Sequence, residues 1–214
     1  MSNFGFMNLR VVNPYAIAFR EARSAVGASS VLKKAQEYQE LREAIDDCAL
    51  VVGTTTLRNR QRQQPLYRLE EGVGRIRRKL RSERVALLFG SEKVGLSNED
   101  LSHCQWLMHI PTREMHPSMN LGQAVAVCLY EMVRSGKLPR TTAETKSAST
   151  GQLERVTDLL HEALQASGYL GVAPSATSVS KIRRLVRRLN FDAADSELLL
   201  GMLRQILWKI RSQE

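Results

Sequence analysis

The hydrophobic pattern divides the chain into an α/β part and a helical part. Four runs of apolar residues predict buried strands, and they begin at Leu9, Ala49, Val85 and Trp106. Asn13 is placed to cap a first helix that has Pro14 in its first turn and ends near Gly27. Residues 39–47 predict a second helix. Continuous apolar strands separated by helices favour a parallel sheet covered on both faces.

From residue 152 onward the pattern is helical, with three apolar stripes at helical spacing. The first stripe is Leu153, Val156, Leu159 and Leu160. The second stripe, predicted opposite Arg183, Arg184, Arg187 and Arg188, is Ile182, Leu185, Val186 and Leu189. The third stripe is Leu199, Leu203, Ile206 and Ile210. We predict an α/β domain over 1–138, a Thr/Ser/Ala-rich linker over 139–151 and a small all-α domain over 152–214.

Composition narrows the class of protein. The chain has 214 residues, of which 43% are hydrophobic and 25% charged, and this balance is typical of a soluble globular protein. It contains no apolar run of membrane-spanning length and no signal-peptide layout. An odd number of cysteines, Cys48, Cys104 and Cys128, favours a reducing cytoplasm. The net charge of +9 favours a polyanionic partner, with nucleic acid as the first candidate.

A first candidate motif, VVGTTT, begins at Val51. A buried strand there runs into Gly53 and the hydroxyl side chains of Thr54, Thr55 and Thr56. Glycine lets a backbone approach a ligand, and threonine adds hydrogen-bonding hydroxyls. The same residues also fit an ordinary strand end followed by a polar turn.

A second candidate motif, FGSEKVGL, begins at Phe89. Gly90 and Gly95 flank Glu92 and predict a tight loop whose amides face a ligand. Ser97, with Asp100 three residues later, predicts the start of a helix. The glycine spacing does not match the dinucleotide fingerprint GxGxxG.

A third candidate motif begins at Ile110, where a predicted strand ends. A loop then leads to Ser118, Met119 and Asn120, which open a helix. The start of a helix presents free N–H groups, although serine or asparagine there is most often only a cap.

In this order, the three motifs resemble those of the SpoU-type RNA ribose 2′-O-methyltransferases. The C-terminal helices are similar to the extension of that family's TrmJ-type tRNA branch. The resemblance implies an α/β domain that ends in a deep trefoil knot, a homodimer, and transfer of a methyl group from S-adenosyl-L-methionine to RNA, with tRNA the expected substrate.

Transferred by motif, the resemblance implies residues for each role. The implied cofactor-binding residues are Thr54, Thr55, Thr56, Gly90, Gly95, Ile110, Ser118, Met119 and Asn120. The implied catalytic residues are Asn120, Ser118 and Glu92. The reaction requires no metal. A base methyltransferase of the wider knotted superfamily is a further reading, but the Ser118-Met119-Asn120 motif argues against it.

One departure from the family concerns an earlier motif, in which a strand, an N-x-G turn and an arginine precede the segment at Met1 to Phe6. We expect the start to have been assigned at an internal methionine, so that the domain is N-terminally truncated and the upstream frame encodes the missing motif. A non-catalytic homologue that binds S-adenosylmethionine or RNA is the alternative.

Two further groups of residues need interpretation. Arginines that could contact RNA are Arg58, Arg60, Arg62, Arg75, Arg77, Arg78, Arg81, Arg84, Arg183, Arg184 and Arg187, and a solvated face is the alternative. A possible zinc set is His103, Cys104, His109 and His116. Its spacing matches no standard structural zinc site, so we predict ordinary packing.

Overall fold

The computed structural model describes residues 1–24, 29–56, 64–113, 115–134, 146–170 and 176–212. The strands in this part are β1 Arg10–Val12, β2 Gln36–Tyr38, β3 Leu50–Thr54, β4 Leu66–Arg68, β5 Val85–Leu88 and β6 Trp106–His109. The helices are α1 Ala16–Ser24, α2 Ser30–Lys33, α3 Leu41–Ala44, α4 Leu69–Lys79, α5 Asn98–Ser102, α6 Leu121–Arg134, α7 Thr150–Ala166, α8 Ala176–Leu189 and α9 Ala193–Arg211. None of these helices is both long and apolar enough to cross a membrane.

The larger sheet is parallel, with strand order β4-β6-β3-β5. Its alternating side chains separate two cores, as expected for a strand period of two. Val52 and Met108 lie in the core that α4 and α6 complete. Val51 and Leu107 lie in a second core with residues of α5. The predicted strands that begin near residues 49, 85 and 106 are therefore confirmed, in a sheet covered on both faces.

The first predicted strand is confirmed as β1, but its expected place in the same sheet is wrong. β1 pairs in parallel with β2 in a separate two-stranded sheet. Both β2 and β4 escaped sequence analysis because each has three residues and neither contains a continuous apolar run. Short strands at the edge of a sheet carry little hydrophobic signal.

Two predicted helix boundaries also need correction. Asn13 does not cap a helix: its φ is 45°, and its N–H donates to the carbonyl of Tyr38, so it ends the β1–β2 pairing. α1 begins later, at Ala16. Residues 39–47 contain only the four-residue α3. Gly27 lies outside the described residues.

The predicted linker is wrong at its C-terminal end. Ala148 is buried, and Ser149 forms a capping box with Gln152 at the start of α7. The backbone N–H and hydroxyl of Thr150 both donate to the carbonyl of Cys48, each at 2.7 Å. The small polar side chains of this segment therefore cap and dock α7, whereas a solvated linker would leave them free.

Helices α7, α8 and α9 share a core of their own. The stripe predicted for α7 is confirmed. In α8, Ile182 and Val186 are buried as predicted, but Leu185 and Leu189 are exposed. In α9, Leu203 is buried, Ile206 is exposed, and Leu200 and Leu207 complete the core instead.

A buried ionic network joins these helices to α5. Glu154 of α7 is fully buried; Arg187 Nη2 donates to its Oε1 at 2.6 Å and Arg183 Nε to its Oε2 at 3.1 Å. His103, directly after α5, places Nδ1 3.4 Å from Glu154 Oε1. Burial by itself raises the pKa of Glu154, but the imidazole and the two guanidiniums around it hold that pKa at about 2.

This network predicts an acid-sensitive contribution to stability. Because the pKa of Glu154 in the folded chain lies below its ordinary value of 4.5, the contribution is present above pH 4.5 and is lost as the pH falls towards 2. In chemical unfolding, Glu154→Gln should be less stable than the parent chain at pH 7, and the difference should shrink by about 3 kcal/mol across that pH range.

The control is Glu21→Gln, which changes an exposed carboxyl on α1. Its free energy of unfolding should follow that of the parent chain at every pH. A difference between Glu154→Gln and the parent chain that stays constant from pH 5 to pH 2 would contradict the prediction.

Candidate active site

The three candidate motifs meet at one edge of the larger sheet. β3 pairs with β5 and with β6, and the register sets Gly53 beside Leu88 and Thr54 beside Met108. Because all three strands are parallel, the segments that follow them emerge on the same side. Ligands of parallel α/β sheets commonly bind at this carboxyl edge.

The threonines after β3 divide their roles. Thr54 donates its hydroxyl to the Leu88 carbonyl at 2.8 Å, which fastens the end of β3 to the end of β5. The backbone N–H of Thr55 donates to the Met108 carbonyl at 3.0 Å and extends the pairing with β6. Thr56 is exposed at the edge. The hydroxyl of Thr54 is thus bonded within the fold, whereas Thr56 is exposed to solvent at the site.

The loop after β5 is closed by a backbone contact at Gly90. A Cβ on Gly90 would lie 2.0 Å from the carbonyl carbon of Gly95 and 2.1 Å from the nitrogen of Leu96. Gly95 has a φ of 72° and donates its N–H to Ser91 at 2.8 Å. No side chain fits at Gly90, and the left-handed φ favours glycine at Gly95. The tight loop predicted from the two glycines is confirmed.

Glu92 joins this loop to the start of α6. Its Oε1 accepts from Asn120 Nδ2 at 3.0 Å and from the Leu121 N–H at 3.4 Å. Asn120 in turn caps α6, since its Oδ1 accepts from the N–H groups of Gly122 at 3.0 Å and Gln123 at 3.3 Å. A carboxylate at a helix N-terminus is also favoured by the helix dipole. Two motifs 28 residues apart in the chain are thereby locked together.

The remaining candidates line the approach to α6. Ser118 is exposed, and Met119 is half-buried. Ile110 is half-buried and packs against the core between the sheet and α6. The Thr112 hydroxyl donates to the Pro117 carbonyl at 3.3 Å and narrows the loop before Ser118. Among the cofactor and catalytic candidates, Glu92 is the one with an acidic or basic side chain.

Two buried thiols and one buried histidine have surroundings that the fold explains. Burial raises the pKa of Cys104 and of Cys128 to about 12, so both thiols stay protonated at neutral pH. His103 belongs to the network around Glu154. The described residues contain no group of three or more His, Cys, Asp or Glu side chains that could hold a metal ion.

The predicted RNA-binding arginines require a correction. Arg58, Arg60 and Arg62 lie outside the described residues. Arg183 and Arg187, predicted on a face of α8 that contacts RNA, are 7% and 1% exposed and pair with Glu154. Arg184 is half-buried and donates to the Asn98 carbonyl at 3.3 Å. The signal that sequence analysis missed was Glu154, an acidic residue inside the apolar stripe of α7, which requires buried cationic partners.

Comparisons with known proteins agree with this geometry. A model of the SpoU rRNA Methylase family matches residues 1–130. The tRNA (cytidine/uridine-2'-O-)-methyltransferase TrmJ of Yersinia pestis (strain Pestoides F) is 35% identical over 96% of this chain and 83% of its own length. TrmJ of Sodalis glossinidius is 34% identical over 96% of this chain and 83% of its own length.

A solved structure is similar as well. The crystal structure of TrmJ from Z. mobilis ZM4 aligns with a TM-score of 0.80 at 28% identity, and the alignment covers 96% of this chain and 89% of that one. Similarity therefore extends through the C-terminal helices as well as the α/β part. On the family match and the relatives together, this chain belongs to the SpoU methylase family.

Proposed function

We propose that this protein is an RNA methyltransferase that modifies the ribose 2′-hydroxyl of a tRNA and takes the methyl group from S-adenosylmethionine. The observation that carries the proposal is the contact of Glu92 with Asn120 and Leu121, which joins the glycine loop after β5 to the start of α6. The names of the relatives supply the substrate class. Three unpaired, buried cysteines and an RNA substrate favour the cytoplasm.

The residues at the carboxyl edge fit this cofactor. When bound, S-adenosylmethionine would supply a methyl group on a positively charged sulfur, and its transfer to a ribose oxygen would leave S-adenosylhomocysteine and a proton. The candidate residues that surround the edge are neutral except for Glu92, so they place no cation against that sulfur. The backbone of Gly95 and Leu96 lies directly against Gly90, so no side chain projects between these segments of the loop.

Each candidate residue has a distinct part in this proposal. Thr56 and Ser118 are exposed and offer hydroxyls to cofactor or ribose. Asn120 fixes the first turn of α6 through its cap, and Glu92 holds Asn120 in place. Because alignment of reacting atoms supplies much of the rate in such transfers, this fixed geometry is the main contribution of these residues.

We further propose that residues 85–135 form the deep trefoil knot. The supporting observation is the position of β6, which lies between β3 and β4 although both precede it in the chain. The segment between β5 and β6 must therefore pass β3 before β6 pairs with β3 on one side and β4 on the other. α6 then packs back against α4 on one face of the sheet.

Three predictions test the proposed function, and the first concerns the activity. The full chain, incubated with unmodified tRNA and S-adenosylmethionine labelled in its methyl group, should transfer label to a ribose, located by nuclease digestion and mass spectrometry. Glu92→Ala removes an ionised acceptor from two donors, a loss of about 1.5–3 kcal/mol. Its kcat/KM for the cofactor should fall by about 10-fold to 100-fold.

Glu43→Gln, an exposed carboxyl on α3, is the matched control and should keep full activity. Cofactor binding without any transfer by the parent chain would favour a non-catalytic homologue. A folded chain that binds neither S-adenosylmethionine nor S-adenosylhomocysteine would show that the proposed function is wrong.

The burial of Arg183 and Arg187 moves the proposed RNA surface to α4. There Arg75 places its guanidinium 4.3 Å over the ring of Tyr67. A cavity of about 400 Å³ opens beside this pair, lined by Tyr67, Glu71, Gly74, Arg75 and Arg78. α4 begins at the carboxyl edge, so this basic face leads away from the site. Arginine and an aromatic ring together suit a phosphate and a stacked base.

The second prediction concerns the salt dependence of tRNA binding. Each arginine that contacts a phosphate adds about 0.9 to the slope of log affinity against log salt for duplex nucleic acid. Arg75→Gln combined with Arg78→Gln should therefore flatten that slope by about 2. The control pair, Arg155→Gln with Arg204→Gln, removes two exposed arginines of α7 and α9. A flatter slope in the control pair alone would put the RNA on the C-terminal helices.

We propose that the protein acts as a homodimer through α6. Val127, Tyr130 and Val133 are spaced three residues apart and form one exposed apolar stripe. The ring of Phe4 meets Tyr130 edge-on, with centroids 6.2 Å apart, and extends the apolar surface. A symmetric pair is the most common oligomer of soluble proteins, and this stripe starts near the candidate site.

The third prediction follows from that stripe. Val127→Asp combined with Val133→Asp would place four carboxylates in a symmetric interface, so the chain should sediment as a monomer in analytical ultracentrifugation. Leu198→Asp with Met202→Asp introduces the same charges on the exposed face of α9 and should leave the dimer intact. Dissociation by the α9 pair alone would place the interface elsewhere.

A further inference from the structure

The loop between β5 and α5, which contains Glu92, is called the cofactor loop below. We propose that α8 is a positioning element for this loop, and that Arg183 and Ser180 set the affinity for cofactor by holding α5. The inference rests on the proposed cofactor site. Arg183 and Ser180 do not touch the proposed site. Their contacts end on α5, which directly follows the loop that contains Glu92, and they would act on the site through that loop.

Side chains of α8 bind α5 at both ends. Arg183 Nη1 donates to Glu99 Oε1 at 2.6 Å and to Ser102 Oγ at 2.9 Å. The Ser180 hydroxyl donates to Glu99 Oε2 at 2.6 Å. The carbonyl of Asn98, the first residue of α5, accepts from α8 as well. Both carboxylate oxygens of Glu99 are therefore held by α8.

α5 depends on such contacts because it has only five residues. A single helical turn is unfavourable by itself, since nucleation restricts several residues for one hydrogen bond. Its own stabilising features are the capping box of Ser97 and Asp100 and the burial of Leu101. The contacts from α8 fix its position relative to the sheet.

A shift of α5 would pass directly to the cofactor loop. Ser97, the cap of α5, follows Gly95 and Leu96, whose backbone is pressed against Gly90 with no room for even a Cβ. On the other side of the same loop, Glu92 holds the start of α6. Only Ser97 separates this close contact from the first residue of α5, so the position of α5 bears directly on the loop.

The two buried arginines of α8 share Glu154 but differ in their other contacts, so their effects can be measured separately. Both guanidiniums pair with it, Arg187 at 2.6 Å and Arg183 at 3.1 Å. Only Arg183 continues to Glu99 and Ser102 on α5. Loss of either arginine therefore weakens the buried network, whereas loss of Arg183 also releases α5.

The experiment measures S-adenosylhomocysteine binding to the full chain by isothermal titration calorimetry, at a temperature where thermal unfolding shows every variant to be folded. Arg183→Met should raise the Kd at least about five-fold, the lower end of typical coupling between sites. Arg187→Met should lower the unfolding temperature yet keep the Kd of the parent chain. Arg188→Met, an exposed arginine on α8, should change neither.

Ser180→Ala serves as the milder test if Arg183→Met does not fold, because it removes one hydrogen bond to Glu99 and no charge. It should raise the KM for S-adenosylmethionine and leave the KM for tRNA unchanged. Arg183→Lys, which keeps the charge, should restore part of the affinity lost in Arg183→Met.

The outcomes separate the two proposals. A parent chain that binds no S-adenosylhomocysteine would overturn the proposed function and this inference together. A parent chain that binds it, with Arg183→Met and Ser180→Ala equal to it in Kd, would leave the proposed function standing and overturn the inference. Equal losses of affinity in Arg183→Met and Arg187→Met would show that the network acts through stability alone.

Discussion

The double pairing of β3 is the constraint on which the candidate site depends. With β5 on one side and β6 on the other, β3 brings the ends of three strands to one edge of the sheet. The Thr54 hydroxyl reinforces that alignment by its bond to Leu88. The loop closed at Gly90 and the contact between Glu92 and Asn120 are possible only because those ends are adjacent. Loss of either strand pairing would separate the three motifs that meet at this edge.

The second constraint is the burial of Glu154. An ionised carboxyl in the interior is stable only where cations and hydrogen bonds surround it, and α8 supplies Arg183 and Arg187 for that purpose. α8 also contacts α5, and α5 directly follows the glycine loop after β5. The ionic network that stabilises the helical part of the chain therefore also contacts the α/β part, because Glu99 accepts a hydrogen bond from Arg183.

Local signals in the sequence were reliable where neighbouring residues determine the structure. The cap at Ser97, the glycine loop and three of the four strands of the larger sheet all depend on residues within a few positions of one another, and all are confirmed. The separate sheet of β1 and β2, the short α3 and the docked segment before α7 could not be predicted in this way. Each depends on a distant partner, such as the Cys48 carbonyl that accepts from Thr150.

By itself, then, the amino-acid sequence determined the α/β and helical halves, the order of the three motifs and the family to which they point. The periodicity of α8 could not show whether its arginines face water or the interior. Two guanidiniums four residues apart on a helix can both be solvated, or can both pair with one buried carboxylate. Only the tertiary structure decided that Arg183 and Arg187 face Glu154, and that Glu92 reaches Asn120. The physical reason is that both sets of contacts join residues at least 28 positions apart in the chain. Only the packing of the folded chain brings such residues together.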